Sequence, residues 1–284
     1  MHGPPPGWKP VRRKAQQDSE PGKFTWWDLG ATLFYVIGFL SGLVGLVGLI
    51  PPINQLLTGD ETQMQQGMFL INTVSYALLA LIAVILSGAA LWRSVKAFSY
   101  LWWLKLLLVP VAWIASIILN MVLVLFLLGA EPETSENQEA IEAMLQAVPF
   151  IAALVVIAAL GPYVEEYFFR HLLIGKLSRY LNVWFCGVIS VVAFPLLHFL
   201  PALIGLTDDL SLVAVMPYLT MGIVITLGYI LTGRNLFYAW LLHFFNNAMS
   251  LLLAYFVVPW AEDIAGPLEA FAVLKPLIGL TLIA

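Results

Sequence analysis

Long runs of apolar residues, separated by short polar stretches, dominate the chain. Seven runs contain about 20 residues or more, which is the length an α-helix needs to cross the hydrocarbon core of a membrane. These runs are Gly30–Ile50, Met68–Leu91, Leu106–Leu128, Val148–Ile174, Val183–Leu206, Leu210–Leu231 and Leu236–Val258. An eighth, Pro267–Ala284, carries Lys275 and Pro276 and is predicted either to span the membrane or to lie in its interface. The pattern predicts an all-α, polytopic transmembrane bundle of about eight helices.

The composition supports a membrane protein and excludes an ordinary soluble domain. Hydrophobic residues make up 61% of the 284 residues and charged residues only 11%, whereas soluble domains have about 45–50% and about 25%. Residues 1–25 are rich in proline and in cations and are predicted to form a disordered, basic, cytoplasmic tail. Residues 26–284 are then the transmembrane domain. Cys186 is the single cysteine, so no disulfide forms within the chain.

The positions of the cations predict the orientation. Eleven of the thirteen Lys and Arg residues fall in the N-terminal tail or in alternate loops, and cytoplasmic loops are the ones that collect these residues. The N-terminus is therefore predicted to be cytoplasmic. We expect a multi-pass protein of a bacterial cytoplasmic membrane, because the chain is compact and shows no extended soluble domain.

A small group of polar residues lies within the apolar runs. Each charge near the centre of a bilayer costs about 2.5–3.5 kcal/mol, so such residues are expected to face the interior of the bundle and to pair together or line a wet cavity. The group consists of Glu165, Glu166, Arg170, His171, His198, His243, Asn246 and Asn247.

Helical spacing predicts how the first of these residues are arranged. Glu166 and Arg170 are four residues apart, so they share a helix face and are expected to pair. Glu165 points about 100° away from that face and has no local cation there, which suits a general base. His243 and Asn247 are also four residues apart, and two hydrogen-bond donors on one face are suited to binding an oxyanion.

Depth within the membrane is less consistent across these runs. Counted at about 1.5 Å per residue from the predicted inner edges, Glu165 lies roughly 16 Å deep and His243 roughly 13 Å deep. His198 comes out at roughly 22 Å by the same count. Convergence therefore requires either that the fifth helix begins later or that it bends near Pro195, because proline disrupts helical hydrogen bonding.

Three motifs occur in order within residues 148–258. "EEYFFR" fits E-E-x-x-x-R, "FPLLH" fits F-x-x-x-H, and "HFFNN" fits H-x-x-x-N. This region resembles the type II CAAX prenyl endopeptidases and their bacterial relatives, which form the CAAX protease and bacteriocin-processing (CPBP, or Abi) family. The chain departs from many relatives at His171, after the motif arginine, and at "PLL" in the second motif, which leaves the substrate class open.

The resemblance implies roles for six residues. Glu165 and His198 would hold and activate a water, His243 and Asn247 would form the oxyanion hole, and Glu166 and Arg170 would brace the site. The implied activity is intramembrane hydrolysis of a peptide bond in a membrane-associated peptide or a prenylated protein. We also expect the site to open toward the cytoplasm, which would suit a prenylated C-terminus or a bacteriocin leader.

Cofactors, partners and rival functions follow from the same residues. We expect membrane lipid and a membrane-associated substrate as partners and no nucleic acid. No cofactor is required in this interpretation, although Glu165, His198 and His243 are a conceivable zinc-ligand set. Two alternatives stay open: a proton-coupled or small-solute transporter, since intramembrane Glu and His also mark such pathways, and a non-catalytic immunity or scaffold protein of the membrane.

Overall fold

The computed structural model describes residues 21–40, 42–127, 129, 135–203, 205 and 211–265. Most of the predicted tail and the whole of the predicted segment Pro267–Ala284 lie outside these residues. Within the described part of the chain all regular structure is helical, so the predicted all-α class is confirmed.

We number ten helices in chain order. They are α1 (Trp26–Leu40), α2 (Leu43–Leu49), α3 (Pro51–Leu57), α4 (Glu61–Phe98), α5 (Trp102–Leu125), α6 (Glu136–Leu145), α7 (Phe150–Arg179), α8 (Val183–His198), α9 (Leu212–Leu231) and α10 (Leu236–Ala261). One further helical turn, Leu200–Leu203, follows α8.

Five of the described helices are long and apolar enough to cross a membrane, namely α4, α5, α7, α9 and α10. A sixth span results if α1 and α2 are counted together, although they meet at a bend of 60°. Gly42 lies between these two helices with a φ of 80°, a left-handed conformation that glycine adopts readily. The polytopic bundle predicted from the sequence is therefore present.

The fifth predicted span is shorter than expected. Helix α8 has 16 residues and ends at His198, which corresponds to about 24 Å at 1.5 Å per residue and does not cover a core about 30 Å thick. Pro201 has no backbone N–H to continue the helical ladder. The prediction of one continuous span over Val183–Leu206 is therefore wrong.

Helix α7 lies at the centre of the bundle. In its most apolar stretch 61% of the residues are buried, compared with 22% in α5. The segment Glu166–Lys176 of α7 is π-helical, a geometry that is rare and is often found at functional sites. Helix α7 therefore exposes little of itself to lipid and presents its polar residues to its neighbours.

The two ends of the bundle differ in charge. At one end, which we call the cation-rich end, lie seven of the eight described Lys and Arg residues: Lys23, Arg93, Lys96, Lys105, Lys176, Arg179 and Arg234. Hydrogen bonds join these segments, as from Arg234 Nη1 to Ser178 Oγ at 3.0 Å. The opposite, cation-poor end contains α3, the start of α4 and α6, and Gln66 Nε2 donates there to the carbonyl of Ala147 at 3.2 Å.

Candidate active site

Glu166 and Arg170 form the contact predicted from their spacing. Arg170 Nη1 lies 3.1 Å from Glu166 Oε1, and both side chains are fully buried. The guanidinium also packs over the ring of Phe194, 4.9 Å from its centroid, and Nη2 lies 3.4 Å from the carbonyl oxygen of Gly222. The pair thus ties α7 to α8 and α9.

Glu165 lies between two histidines that come from two other helices. Its Oε1 is 3.8 Å from His198 Nε2 on α8, and its Oε2 is 3.7 Å from His243 Nε2 on α10. Only 2% of the Glu165 surface is exposed. Three residues that are far apart in the sequence therefore meet inside the bundle.

The difference in depth between Glu165 and His198 disappears because α7 is longer than the sequence suggested. Helix α7 continues to Arg179, so Glu165 lies fourteen residues from its cation-rich end. His198 lies fifteen residues from the start of α8. At about 1.5 Å per residue the two residues are therefore about 21–23 Å from that end, and no bend in α8 is needed to bring these two together.

Both histidines are oriented through their Nδ1 atoms. His243 Nδ1 lies 2.9 Å from Glu166 Oε1, so this ring bridges the two adjacent glutamates. His198 Nδ1 lies 2.8 Å from the carbonyl oxygen of Phe194. A proton on that Nδ1 leaves Nε2 as the hydrogen-bond acceptor that faces Glu165.

Asn247 is held by a different set of groups. Its Nδ2 donates to the carbonyl of Ile157 at 3.0 Å, and its Oδ1 accepts from Asn246 Nδ2 at 3.2 Å. Both asparagines are buried. The amide of Asn247 carries a second N–H in addition to the one given to Ile157, and its orientation is fixed from both sides.

Several polar atoms of this cluster are buried without a hydrogen-bond partner in the described part of the structure. They are Glu165 Oε2, Glu166 Oε2, Arg170 Nε, Arg170 Nη1 and His243 Nε2. The large majority of buried side-chain polar atoms in native proteins have such a partner. Five such atoms in one cluster are therefore typical of a site that binds a ligand or carries out chemistry, rather than of one that serves stability alone.

A cavity of about 300 Å³ reaches Glu165 and His198. Its walls are mainly apolar and aromatic and come from α1, α4, α6, α7, the end of α8 and the turn that follows it. This volume is at the lower end of the range for small-molecule pockets, about 300–1,000 Å³. The lining extends from Glu165 and His198 to Asn137, Ala140 and Met144 on α6. The cavity therefore leads toward the cation-poor end of the bundle. The sequence had led us to expect an opening toward the cytoplasm.

The structure adds residues that the sequence did not single out. The ring of Tyr218 on α9 lies 4.7 Å from that of His198, and its hydroxyl is 3.0 Å from Ser135 Oγ before α6. Phe194 supplies both the carbonyl for His198 and the ring under Arg170. No periodicity marks Tyr218, but its place beside Pro217 in an apolar run was a weak signal.

His171 is buried but lies away from Glu165. Its ring stacks on that of Tyr167 at 5.9 Å, and the hydroxyl of Tyr167 donates to Asp28 Oδ1 at 3.0 Å. Lys176, which the sequence placed in a loop, is also buried and binds both oxygens of Asp28 at 2.7 Å. His171 therefore belongs to the packing between α1 and α7.

A metal site is not evident in this part of the chain. The described residues contain no group of three or more His, Cys, Asp or Glu side chains arranged to hold a metal ion. The Nδ1 atoms of both histidines are engaged, and the two Nε2 atoms face different oxygens of Glu165. Engagement of Nδ1 is also usual for histidines that bind a metal through Nε2, so Glu165, His198 and His243 are the residues that would hold a zinc ion, and no step is derived through one.

The fold and the site together define a class of protein. The chain is a multi-pass helical membrane protein that holds a buried acid–histidine cluster at the inner end of a cavity. A carboxylate beside imidazole nitrogens is an arrangement suited to general acid–base chemistry.

Comparison with known proteins narrows this class. Residues 147–249 match the family model of the Rce1-like type II CAAX prenyl endopeptidases. A curated protein from Bacillus subtilis (strain 168), named "Putative membrane peptidase YdiL", is 41% identical over 64 residues. That alignment covers 22% of this chain and 25% of the relative, so the match spans about a quarter of the relative's length. No solved structure matches the chain significantly. The resemblance to the CPBP family is confirmed by the first two matches.

Proposed function

We propose that the protein is an intramembrane endopeptidase in which Glu165 and His198 activate a water for attack on a peptide carbonyl. One observation carries the proposal: the two oxygens of Glu165 lie 3.8 and 3.7 Å from the Nε2 atoms of His198 and His243. These groups lie at the end of a cavity whose wall includes residues of α6. The family match over residues 147–249 supports it.

The separation between Glu165 and His198 suits a bridging water. At 3.8 Å the two atoms are too far apart for a direct hydrogen bond, whereas one water between them reaches both. In the proposed reaction the water oxygen attacks the carbonyl carbon, and its proton passes to Glu165. The C–N bond then breaks, and Glu165 returns the proton to the leaving nitrogen. One water is consumed and no oxidant or reductant is needed.

His243 and Asn247 are proposed to stabilise the oxyanion. His243 Nε2 lies 3.7 Å from Glu165 Oε2 and is proposed to face the reacting carbonyl, while its Nδ1 is held by Glu166. Asn247 donates its second N–H. Removal of one oxyanion donor typically lowers kcat about 10²–10³-fold. Glu166 and Arg170 are proposed to hold these groups in place rather than to contact the substrate.

The cation-rich end of the protein is proposed to lie in the cytoplasm. The activation of water is proposed to need no metal ion. Activity that persists after chelation and exhaustive dialysis, measured with metal analysis of the same sample, supports the metal-free reaction. Activity that is lost and then restored by zinc alone contradicts it.

The substrate proposed here is a membrane-associated peptide or a prenylated protein. Membranes from cells that produce the wild type or Glu165→Gln are compared by peptide mass spectrometry, with Asp263→Asn as the matched carboxyl-to-amide control, since Asp263 is exposed at the end of the described chain. A general base contributes about 10²–10⁴-fold, so peptides trimmed by the wild type and by Asp263→Asn are expected to be absent with Glu165→Gln.

Two outcomes of that comparison contradict the proposal. Equal trimming by Glu165→Gln removes Glu165 from the mechanism. Solute flux in proteoliposomes that depends on Glu165, without any trimmed peptide, favours the transporter instead. The amount of folded, membrane-inserted protein is measured for each variant, so that loss of activity is not confused with loss of protein.

A further inference from the structure

The cavity at Glu165 is open in one direction and packed in the other. On the cation-rich side of Glu165, the residues from Glu166 to Leu172 of α7 are all buried. The rings of Tyr35 and Phe168 stack there with centroids 4.2 Å apart. Below them, Lys176 and Asp28 close the space between α7 and α1 at 2.7 Å. A peptide chain has no path to Glu165 through these contacts.

On the cation-poor side the lining of the same cavity reaches the surface. Met68 on α4 is 47% exposed, and Ala140 on α6 is exposed; both line the cavity. Phe69, Tyr76 and Ile141 line the cavity as well. The walls are therefore suited to an extended segment with large apolar side chains, since apolar surface that leaves water on binding contributes about 25 cal/mol per Å².

The end of the bundle at which this cavity opens is acidic. Glu139 and Glu142 lie on the side of α6 that its helical period turns away from the lining residues Ala140 and Ile141, and Asp60 and Glu61 lie at the start of α4. Lys and Arg are absent from the described residues of this end. Complementary charge at a rim raises the rate of association and selects among partners.

We propose that the substrate enters from the cation-poor face, beneath α6, and that it is an apolar peptide segment followed at that face by cationic residues. This rests on the proposed endopeptidase and adds to it the direction of access and the class of substrate. If the cation-rich end is cytoplasmic, the substrate is presented from the opposite, extracytoplasmic side of the membrane.

Cysteine labelling tests the direction of access without requiring cleavage. In a Cys186→Ala background, single cysteines are placed at Ala140 in the cavity lining, at Gln146 on the same face outside the lining, and at Tyr180 at the cation-rich end. A membrane-impermeant maleimide is added to intact cells. We expect Ala140→Cys and Gln146→Cys to be labelled and Tyr180→Cys to be labelled only after the cells are opened. The reverse pattern overturns the assignment of sides.

The same variants test whether the cavity is the route to the active site. In nanodiscs, a bulky maleimide at Ala140→Cys is expected to slow peptide cleavage at least 10-fold, whereas the same label at Gln146→Cys or Tyr180→Cys changes it less than twofold. Inhibition by the label at Tyr180→Cys alone overturns the proposal. Failure of Glu165→Gln to affect cleavage, with labelling as expected, refutes the endopeptidase mechanism and leaves the route standing.

Substrate charge is tested with two synthetic peptides that share one apolar segment and end in Lys-Lys or Glu-Glu. The wild type is expected to cleave the Lys-Lys peptide at least 10-fold more efficiently by kcat/KM, with the preference weakened by salt. Glu139→Lys with Glu142→Lys is expected to reverse the order, and Asp263→Lys to leave it unchanged. Equal cleavage of both peptides by the wild type refutes the charge selection.

Discussion

Helix α7 carries two buried charge clusters that are built in opposite ways. The Asp28 network, which consists of Asp28, Thr25, Tyr167 and Lys176, satisfies its carboxylate completely: Oδ1 accepts from Tyr167 and Lys176, and Oδ2 accepts from Lys176 and from Thr25. The Glu165 cluster, which consists of Glu165, Glu166, Arg170, His198 and His243, leaves polar atoms of at least four of its side chains without a hydrogen-bond partner among the described residues.

The difference separates a structural cluster from a candidate active site. A saturated buried ion pair holds two helices together and has no free lone pair to offer. An unsaturated one is destabilising by itself, because each unmet buried polar group costs about 1–3 kcal/mol. The Glu165 cluster is therefore expected to trade stability for reactivity, while the Asp28 network fixes α1 against the helix that bears the cluster.

The largest effect on stability is expected from Arg170→Ala. This change removes the cation from Glu166 in a fully buried pair, and breaking such a pair typically costs about 3–5 kcal/mol. The free energy of unfolding in mixed micelles is the measurement, with Arg170→Lys as the variant that keeps the charge.

The same variant also sharpens the comparison between the two clusters. If Arg170→Ala is as stable as the wild type but inactive, Arg170 takes part in the chemistry directly, and the role of a brace is wrong. If Glu166→Gln combined with Arg170→Ala recovers stability lost in Arg170→Ala, the stranded charge is the cause of the loss.

A somewhat smaller loss in the free energy of unfolding is expected from Lys176→Met. Asp28 keeps its hydrogen bonds from Thr25 and Tyr167, so the loss falls near the lower limit for a broken buried pair, about 3 kcal/mol. Cleavage per folded molecule is expected to stay within twofold of the wild type, because the Asp28 network does not reach Glu165. The double variant Asp28→Asn with Lys176→Met is expected to regain part of the lost stability. If Lys176→Met lowers the cleavage rate 100-fold at unchanged stability, the purely structural role of the Asp28 network is contradicted.

The smallest effect is expected from Tyr167→Phe. It deletes one hydrogen bond to Asp28, 3.0 Å long, and a typical hydrogen bond contributes about 0.5–1.5 kcal/mol. His171→Phe is the matched control, since it preserves the ring stacked on Tyr167 without touching Asp28. A lower free energy of unfolding for the control than for Tyr167→Phe indicates that the ring stack matters more than the hydrogen bond.

Much of the candidate site was accessible from spacing alone, but its geometry was not. The i, i+4 relation predicted the contact between Glu166 and Arg170, because local helical geometry decides it. The position of Asn247 against Ile157, and the bridging of both glutamates by His243, depend on how α7 and α10 pack. The Asp28–Lys176 pair was missed because its members are 148 residues apart and each lies near the end of an apolar run, where a charge needs no explanation.

The sequence by itself determined that this is an all-helical membrane protein and which few polar residues lie within its apolar runs, because the length of apolar runs and the cost of buried charge are local properties of the chain. Only the tertiary structure decided that α8 stops at His198, that Glu165 meets both histidines, and that the cavity leads to the cation-poor face. Those features arise from contacts between distant segments, and no periodicity along the chain encodes which side of a helix its neighbours will cover.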